Sequence, residues 1–142
     1  MHPSHLCVRN YFNNSTFIIM QHFSKAERLC SKIIINDVFE TGKTIQVASF
    51  KLYWLDVAEQ SATMQILISV PKRNFKRAVD RNLLKRRIRE AYRTNKLVLN
   101  ENLKSKYYAL MLVYTGKTIL EYKEIEEKII ELLKRFNLNI TL

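Results

Sequence analysis

Hydrophobic side chains recur at the three- and four-residue spacing of an α-helix in three parts of the chain. The first predicted helix covers about residues 31–41 and ends at Gly42, a residue type that commonly terminates helices. Upstream, Ser24 and Glu27 have the spacing of a capping box, which favours a helical start. The apolar side of this helix is formed by Ile34, Ile35, Val38 and Phe39.

The last predicted helix begins near Thr118 and Glu121, which form a second capping-box pattern. Glutamates crowd its first turns, and Lys134 and Arg135 lie near its end, which is the distribution that the helix dipole favours. The apolar positions that predict this helix are Ile125, Ile129, Leu132, Leu133 and Phe136.

Three segments carry the pattern of strands. Residues 44–57 are rich in β-branched and aromatic side chains, and residues 63–70 alternate between apolar and polar positions up to Pro71. With a polar turn between them, these two segments predict a hairpin. Residues 107–114 are continuously apolar, which is typical of a strand covered on both faces, or on one face and an edge. The predicted order α-β-β-α-β-α indicates a single α+β domain.

The middle helix, predicted over about residues 76–95, separates apolar from cationic side chains when its residues are placed on a helical projection. The apolar side consists of Leu84, Ile88, Ala91 and Tyr92. The second side consists of Asn82, Lys85, Arg86, Arg89 and Arg93, and it is flanked by Arg81 and Arg87. We therefore expect one side to face the core and the other to form a charged surface.

Most of the positive charge lies in this helix and the residues that lead into it. The formal net charge of the 142-residue chain is +11, and residues 71–93 alone hold ten Lys/Arg against two Asp/Glu. A solvated surface is one interpretation, but such surfaces normally mix signs, because like charges four residues apart on a helix repel. Lys85–Arg89 and Arg89–Arg93 are pairs of this kind. A phosphate-binding surface explains them better, since each bound phosphate releases condensed counterions.

The aromatic residues of the first helix and first strand allow two interpretations. Phe39, Phe50, Tyr53 and Trp54 are by default core residues. Exposed aromatic rings next to a basic surface instead stack single-stranded bases. The two interpretations have equal weight for Phe50 and Tyr53, whereas Trp54 fits the core better.

No protein catalytic site is evident. His2, His5 and His22 all lie in the first 23 residues, and no acidic cluster accompanies the basic helix, as a metal-dependent or acid–base nuclease would need. His2, His5 and Cys7 form at most a loose metal site, so no metal site is predicted in the protein itself.

Cys7 and Cys30 make no metal or disulfide pattern, which indicates reduced thiols in a cytoplasmic protein. No stretch approaches the ~20 apolar residues of a membrane span.

The two ends of the chain are expected to lie outside the folded domain. Residues 1–23 show no steady hydrophobic period and predict a poorly ordered extension, followed by a domain over residues 24–138 and a tail over residues 139–142. Met20 directly precedes the first patterned segment, so we hypothesise that translation naturally starts there.

The segment SVPKRNFKRAVDRNLLKRRIREAYR resembles the signature of a known family, the small protein subunit of bacterial ribonuclease P. That signature is a basic helix with an Arg-Asn-Arg element, preceded by a Ser-Val strand end and followed by Lys-Arg and Arg-Glu pairs. The letters ERL at residues 27–29 and VFETGK at residues 38–43 resemble the family's first helix, so the resemblance covers about residues 24–136.

The chain departs from the family pattern at three places. Leu83 stands at the third position of the Arg-Asn-Arg element. Residues 75–77 replace the glycine turn that usually precedes the basic helix, and Ile35 stands where a phenylalanine is expected. The cationic side of the helix is unaffected by these changes.

The resemblance implies a ribosomal protein S5 domain 2-like sandwich with a left-handed βαβ crossover. It also implies that the catalytic component is a large RNA with RNA-held Mg²⁺, and that one protein joins each RNA to mature the 5′ end of precursor tRNA. The residues expected at the RNA-binding surface are Lys72, Arg73, Arg77, Arg81, Asn82, Lys85, Arg86, Arg89 and Arg93. The residues expected in a cleft for the single-stranded 5′ leader are Ile35, Phe39, Phe50 and Tyr53.

Two other classes of function fit parts of the sequence. A ribosome-associated or other structured-RNA-binding protein without a nuclease role, or a DNA-binding protein with a basic recognition helix, would also need the cationic side of the middle helix. An amphipathic module at a membrane surface fits less well, because the apolar side of that helix lacks Trp and Phe.

Overall fold

The computed structural model describes residues 23–58, 63–97, 99 and 106–141. Within these residues the predicted α+β class and the three predicted helices are confirmed, and the strands number four. In chain order the elements are a 3-10 turn (Lys25–Glu27), α1 (Lys32–Thr41), β1 (Lys43–Val47), β2 (Phe50–Val57), β3 (Met64–Ser69), α2 (Ala78–Asn95), β4 (Tyr107–Tyr114) and α3 (Tyr122–Thr141).

The four strands form one mixed sheet in the order β1-β2-β4-β3. Strand β2 is antiparallel to both β1 and β4, whereas β3 is parallel to β4. The predicted hairpin between residues 44–57 and 63–70 is therefore wrong, because β4 lies between the two strands. Strand β4 takes this central position because almost all its side chains are apolar and can be buried on both faces of the sheet.

Residues 44–57 form two strands where the sequence predicted one. Val47 pairs with Phe50, so that Ala48 and Ser49 alone make the turn of a tight hairpin. Two-residue hairpin turns require a positive φ, and Ala48 adopts a φ of 51°. Glycine and asparagine are the usual residues at such positions. Because neither residue type stands at Ala48 or Ser49, the sequence carries no indication of a turn between β1 and β2.

Helices cover both faces of the sheet. Helices α2 and α3 pack on the face that presents Leu52, Trp54 and Leu110, and α1 packs through Val38 on the face that presents Met111. The four apolar residues predicted for the buried side of α2 are all in the core, with at most 2% of their surface exposed; they are Leu84, Ile88, Ala91 and Tyr92. Their burial fixes which side of α2 faces outward.

The two predicted capping boxes have different outcomes. The Ser24–Glu27 box is confirmed, with the Ser24 N–H donating to the Glu27 carboxylate at 3.2 Å, although it starts a 3-10 turn rather than α1. The prediction of a Thr118–Glu121 box is wrong, because the helix starts about one turn further along the chain. Helix α3 begins at Tyr122, and the Glu121 N–H donates to the Glu124 carboxylate at 3.4 Å.

The structure also bears on the predicted ends of the domain. Phe23, assigned to the extension, packs edge-on against Tyr92 with 6.0 Å between the ring centroids. Helix α3 continues through Thr141, so most of the predicted tail over residues 139–142 is helical. Residues 1–22, which include Met20 and the three histidines, lie outside the described residues.

Candidate nucleic-acid interface

Helix α2 presents a cationic face, defined here as Asn82, Lys85, Arg86 and Arg89, away from the core. Leu84 and Ile88 are fully buried, whereas Asn82, Arg86 and Arg89, on the other side of the helix, are exposed and Lys85 is half-buried. Within the described part of the chain, no carboxylate forms an ion pair with the three basic residues of this face. Their charge is therefore available to an external anion.

The two ends of the predicted basic stripe have acidic neighbours. Arg93 forms an ion pair with Glu90, and the hydrogen bond from Arg93 lowers the pKa of that carboxyl group below its usual value. At the other end, the Arg77 Nε lies 4.0 Å from the Asp80 Oδ2. In the described part of the chain, the basic residues at the two ends of this stripe therefore have an acidic neighbour, whereas the three basic residues of the cationic face form no ion pair.

Arg81 has a role that the sequence did not show. Its Nη1 donates hydrogen bonds to the backbone carbonyl oxygens of Phe75 and Lys76, at 2.8 and 2.9 Å. These carbonyls belong to residues 75–77, where the chain departs from the family pattern. The predicted RNA contact of Arg81 stays a prediction, but its guanidinium already holds the turn that leads into α2.

We expect Arg81→Gln to lower the free energy of unfolding by about 1–2 kcal/mol, because two hydrogen bonds from a charged donor are lost. The matched control is Arg86→Gln, which removes an exposed arginine of the same helix and should change stability by less than about 0.5 kcal/mol. Urea denaturation of both variants measures the difference. Equal stabilities would show that Arg81 does not hold the turn.

A groove of about 620 Å³ lies on the opposite face of the sheet, beside α1. We call it the aromatic groove. Three of the four residues predicted for the leader cleft, Ile35, Phe39 and Tyr53, line it together. The other residues that line the aromatic groove are Lys32, Asn36, Lys51, Ser69, Arg73, Met111, Val113 and Thr115.

Phe50 does not line the aromatic groove, so this part of the cleft prediction is wrong. Its side chain is 0% exposed and packs against Tyr114, with 5.0 Å between the ring centroids, in the core under α2 and α3. Side chains alternate along a strand. Tyr53, three positions further along β2, therefore points to the other face, into the groove.

Two aromatic rings and several cations shape the aromatic groove. Phe39 is 60% exposed, and its ring centroid lies 5.5 Å from that of Tyr53. The Lys51 Nζ lies 5.0 Å from the Tyr53 ring centroid. Arg73, predicted as part of the RNA-binding surface around α2, lines this groove. Aromatic rings can stack on bases, and the cations beside them can neutralise the phosphates of the same strand.

The sequence interpretation missed Lys32, Asn36 and Lys51 as groove residues. A signal for each was present. Lys32 and Asn36 lie three residues before Ile35 and Phe39 respectively, which places them on the same side of α1. Lys51 is two residues from Tyr53 on β2 and so shares its face.

Among the described residues, no three His, Cys, Asp or Glu side chains come together to hold a metal ion. In the same residues no helix has both the length and the apolar composition needed to cross a membrane. What the described surface does offer is a cationic helix face and an aromatic groove with basic residues. These features define a nucleic-acid-binding protein with an α+β fold.

The comparisons with known proteins identify the family. A family model described as Ribonuclease P matches residues 23–137. The ribonuclease P protein component of Porphyromonas gingivalis is 37% identical over 106 residues, covering 72% of this chain and 77% of that protein. The one from Chlorobium phaeobacteroides is 40% identical over 76 residues, covering 51% and 52%. The chain belongs to the ribonuclease P protein family, as its basic segment predicted.

Solved structures agree with the fold. The ribonuclease P protein from Thermotoga maritima superposes with a TM-score of 0.63 at 26% identity, covering 77% of this chain and 96% of that chain. The one from Staphylococcus aureus has a TM-score of 0.61 at 20% identity, covering 79% and 96%. The predicted fold class is confirmed by these similarities together with the observed sheet.

Proposed function

We propose that this protein serves ribonuclease P by binding the RNA of that enzyme through α2 and the 5′ leader of precursor tRNA in the aromatic groove. The observation that carries the proposal is the cationic face, where Lys85, Arg86 and Arg89 have no described carboxylate partner. Folding these like charges onto one helix face is unfavourable in isolation. Bound phosphates offset that repulsion and release their counterions.

The aromatic groove supports the leader-binding part of the proposal. A single-stranded leader has unpaired bases, which can stack on the exposed ring of Phe39 and the neighbouring ring of Tyr53. Lys32, Lys51 and Arg73 line the same groove and suit the phosphates of that strand. Because stacking does not depend on base identity, the groove suits leaders of varied sequence.

Mg²⁺ enters this proposal as an ion held by the RNA. Phosphate oxygens of the RNA, which are hard donors of the kind that Mg²⁺ prefers, would supply its ligands. When bound, Mg²⁺ stabilises the charge that develops on the reacting phosphate during hydrolysis. The part of this chain is to neutralise other phosphates with fixed cations, so that its effect is greatest at low Mg²⁺.

We further propose that the protein acts in the cytoplasm and that one copy binds each RNA. The second candidate is a ribosome-associated or other structured-RNA-binding protein without a nuclease role. The cationic face of α2 would serve either function, but the aromatic groove favours a partner with an unpaired strand.

The decisive experiment is cleavage of a 5′-extended precursor tRNA at low Mg²⁺, with and without the ribonuclease P RNA of Porphyromonas gingivalis. We expect the protein to be inert alone and to activate the RNA. Cleavage by the protein alone would place a catalytic site in the chain. Absence of both cleavage and activation would favour the second candidate.

Phe39→Ala should weaken the binding of precursor tRNA to the assembled enzyme by about 5- to 150-fold, because one stacked base contributes about 1–3 kcal/mol. Binding of mature tRNA should not change, since it has no leader. Ile33→Ala is the matched control, because Ile33 is a 76% exposed residue of the same helix and does not line the aromatic groove. An equal loss for mature and precursor tRNA would contradict the leader assignment.

A further inference from the structure

A second groove, of about 500 Å³, lies at the outer edge of β3, between α2 and the segment that joins the 3-10 turn to α1. We call it the edge groove. It has no lining residue in common with the aromatic groove. The lining residues that indicate its ligand are Phe23, Arg28, Cys30, Ile68, Lys85 and Arg89.

The charge of the edge groove is positive. Arg28, Lys85 and Arg89 line it, and no carboxylate among the described residues does so. Within the described part of the chain, none of these three residues forms an ion pair. Lys85 and Arg89 are one helical turn apart on α2, a spacing that lets both side chains reach one phosphate group. An anionic ligand is therefore favoured.

The edge groove also has an aromatic surface. Phe23 is half-buried, and its ring is supported edge-on by Tyr92 at an interplanar angle of 88°. The guanidinium carbon of Arg28 lies 5.8 Å from the Phe23 ring centroid. A ring and a planar guanidinium held together in this way form a surface on which a nucleobase can stack.

The backbone of β3 adds hydrogen-bonding groups to the edge groove. The Ile66 carbonyl accepts a hydrogen bond from the Leu29 N–H at 3.1 Å on the side away from β4. Backbone groups alternate in direction along a strand, so the N–H and carbonyl of Ile68 face the same way. No hydrogen bond from another described residue reaches them. Together they present one donor and one acceptor, which matches the edge of an unpaired base.

We infer that the edge groove binds a single unpaired nucleotide of the ribonuclease P RNA. The base lies against Phe23 and Arg28 and bonds the backbone of Ile68, and its phosphate is held by Lys85 and Arg89. A further protein strand on β3 would need a longer row of free backbone groups and would not neutralise the three cations. This inference rests on the proposed function, since it assumes that the RNA binds α2.

The first test uses Cys30, an exposed thiol in the edge groove. In a Cys7→Ser variant, Cys30 is the sole cysteine of the chain. We expect saturation with the ribonuclease P RNA of Porphyromonas gingivalis to slow alkylation of Cys30 by N-ethylmaleimide at least tenfold. The control is Glu127→Cys, an exposed position of α3, in a chain with both native cysteines changed to serine. Its alkylation rate should not change.

The second test places a negative charge in the edge groove. Cys30→Asp should weaken RNA binding at least tenfold, whereas Cys30→Ser should leave it unchanged. Asn139→Asp, at an exposed position of α3, controls for the change in net charge and should have little effect. Thermal unfolding of each variant checks that the fold is retained.

The outcomes separate this inference from the proposed function. If the RNA binds the wild-type protein but neither slows Cys30 alkylation nor responds to Cys30→Asp, the edge groove is empty in the complex and the inference is overturned. If the RNA does not bind the wild-type protein at all, the proposed function itself fails.

Discussion

Replacing Lys85, Arg86 and Arg89 together with glutamine should weaken binding of ribonuclease P RNA by roughly 100- to 1000-fold at ~0.1 M salt. In the proposed complex each of these residues neutralises a phosphate, so each lost contact should lower the slope of log affinity against log salt by up to about one. Glutamine keeps the length and the helix propensity of these side chains. All three are outside the core, so the fold should be retained.

The matched control for this triple variant changes three lysines of α3, namely Lys123, Lys128 and Lys134, to glutamine. The loss of net charge is identical, so any effect of overall charge appears equally in both proteins. Binding measured from 50 to 300 mM salt gives both affinity and slope. If both triple variants lose the same affinity, the RNA responds to net charge, and the cationic face of α2 is not its binding surface.

Ile88→Ala is expected to lower the free energy of unfolding by about 2–5 kcal/mol. Ile88 is 0% exposed and lies on the side of α2 that packs in the main core. Truncation removes apolar contacts and leaves a cavity that the surrounding helices and strands fill incompletely. Because the whole stability of a domain is only about 5–15 kcal/mol, this loss is large enough to unfold part of the population.

Val79→Ala provides the matched control on the same helix. Val79 is 66% exposed, so its truncation leaves no cavity in the core and should change the free energy of unfolding by less than about 0.5 kcal/mol. Urea denaturation followed by circular dichroism compares the two variants. A small effect for Ile88→Ala would mean that α2 is not packed on the sheet as described, and the outward direction of the cationic face would then be in doubt.

The two predicted surfaces differ in how far the sequence determined them. The cationic face of α2 could be derived from the sequence, because both of its sides follow from one period within one helix. The aromatic groove could be derived only in part. Ile35 and Phe39 share a side of α1, but their position next to Tyr53 depends on how α1 crosses the sheet.

Phe50 and Arg81 show what sequence patterns do not contain. Phe50 and Tyr53 are similar in type, and which face of β2 enters the main core was set by the helices packed there. Arg81 carries the same charge as Arg86, but Arg81 is engaged by two backbone carbonyls of the preceding turn. The sequence shows that both residues are charged, but the hydrogen-bond partners of Arg81 depend on the path of the backbone through residues 75–77.

By itself, the sequence determined the three helices, the α+β class, the concentration of charge on α2 and the family resemblance. These properties depend on local periodicity and composition, which neighbouring residues express without reference to the rest of the chain. The tertiary structure decided that β4 separates β2 from β3, that Ala48 makes a turn, and which side chains gather in each groove. Those outcomes depend on packing between segments far apart in sequence. Burial of the apolar β4 at the centre of the sheet outweighs the tendency of β2 and β3, which are consecutive in sequence, to pair with each other.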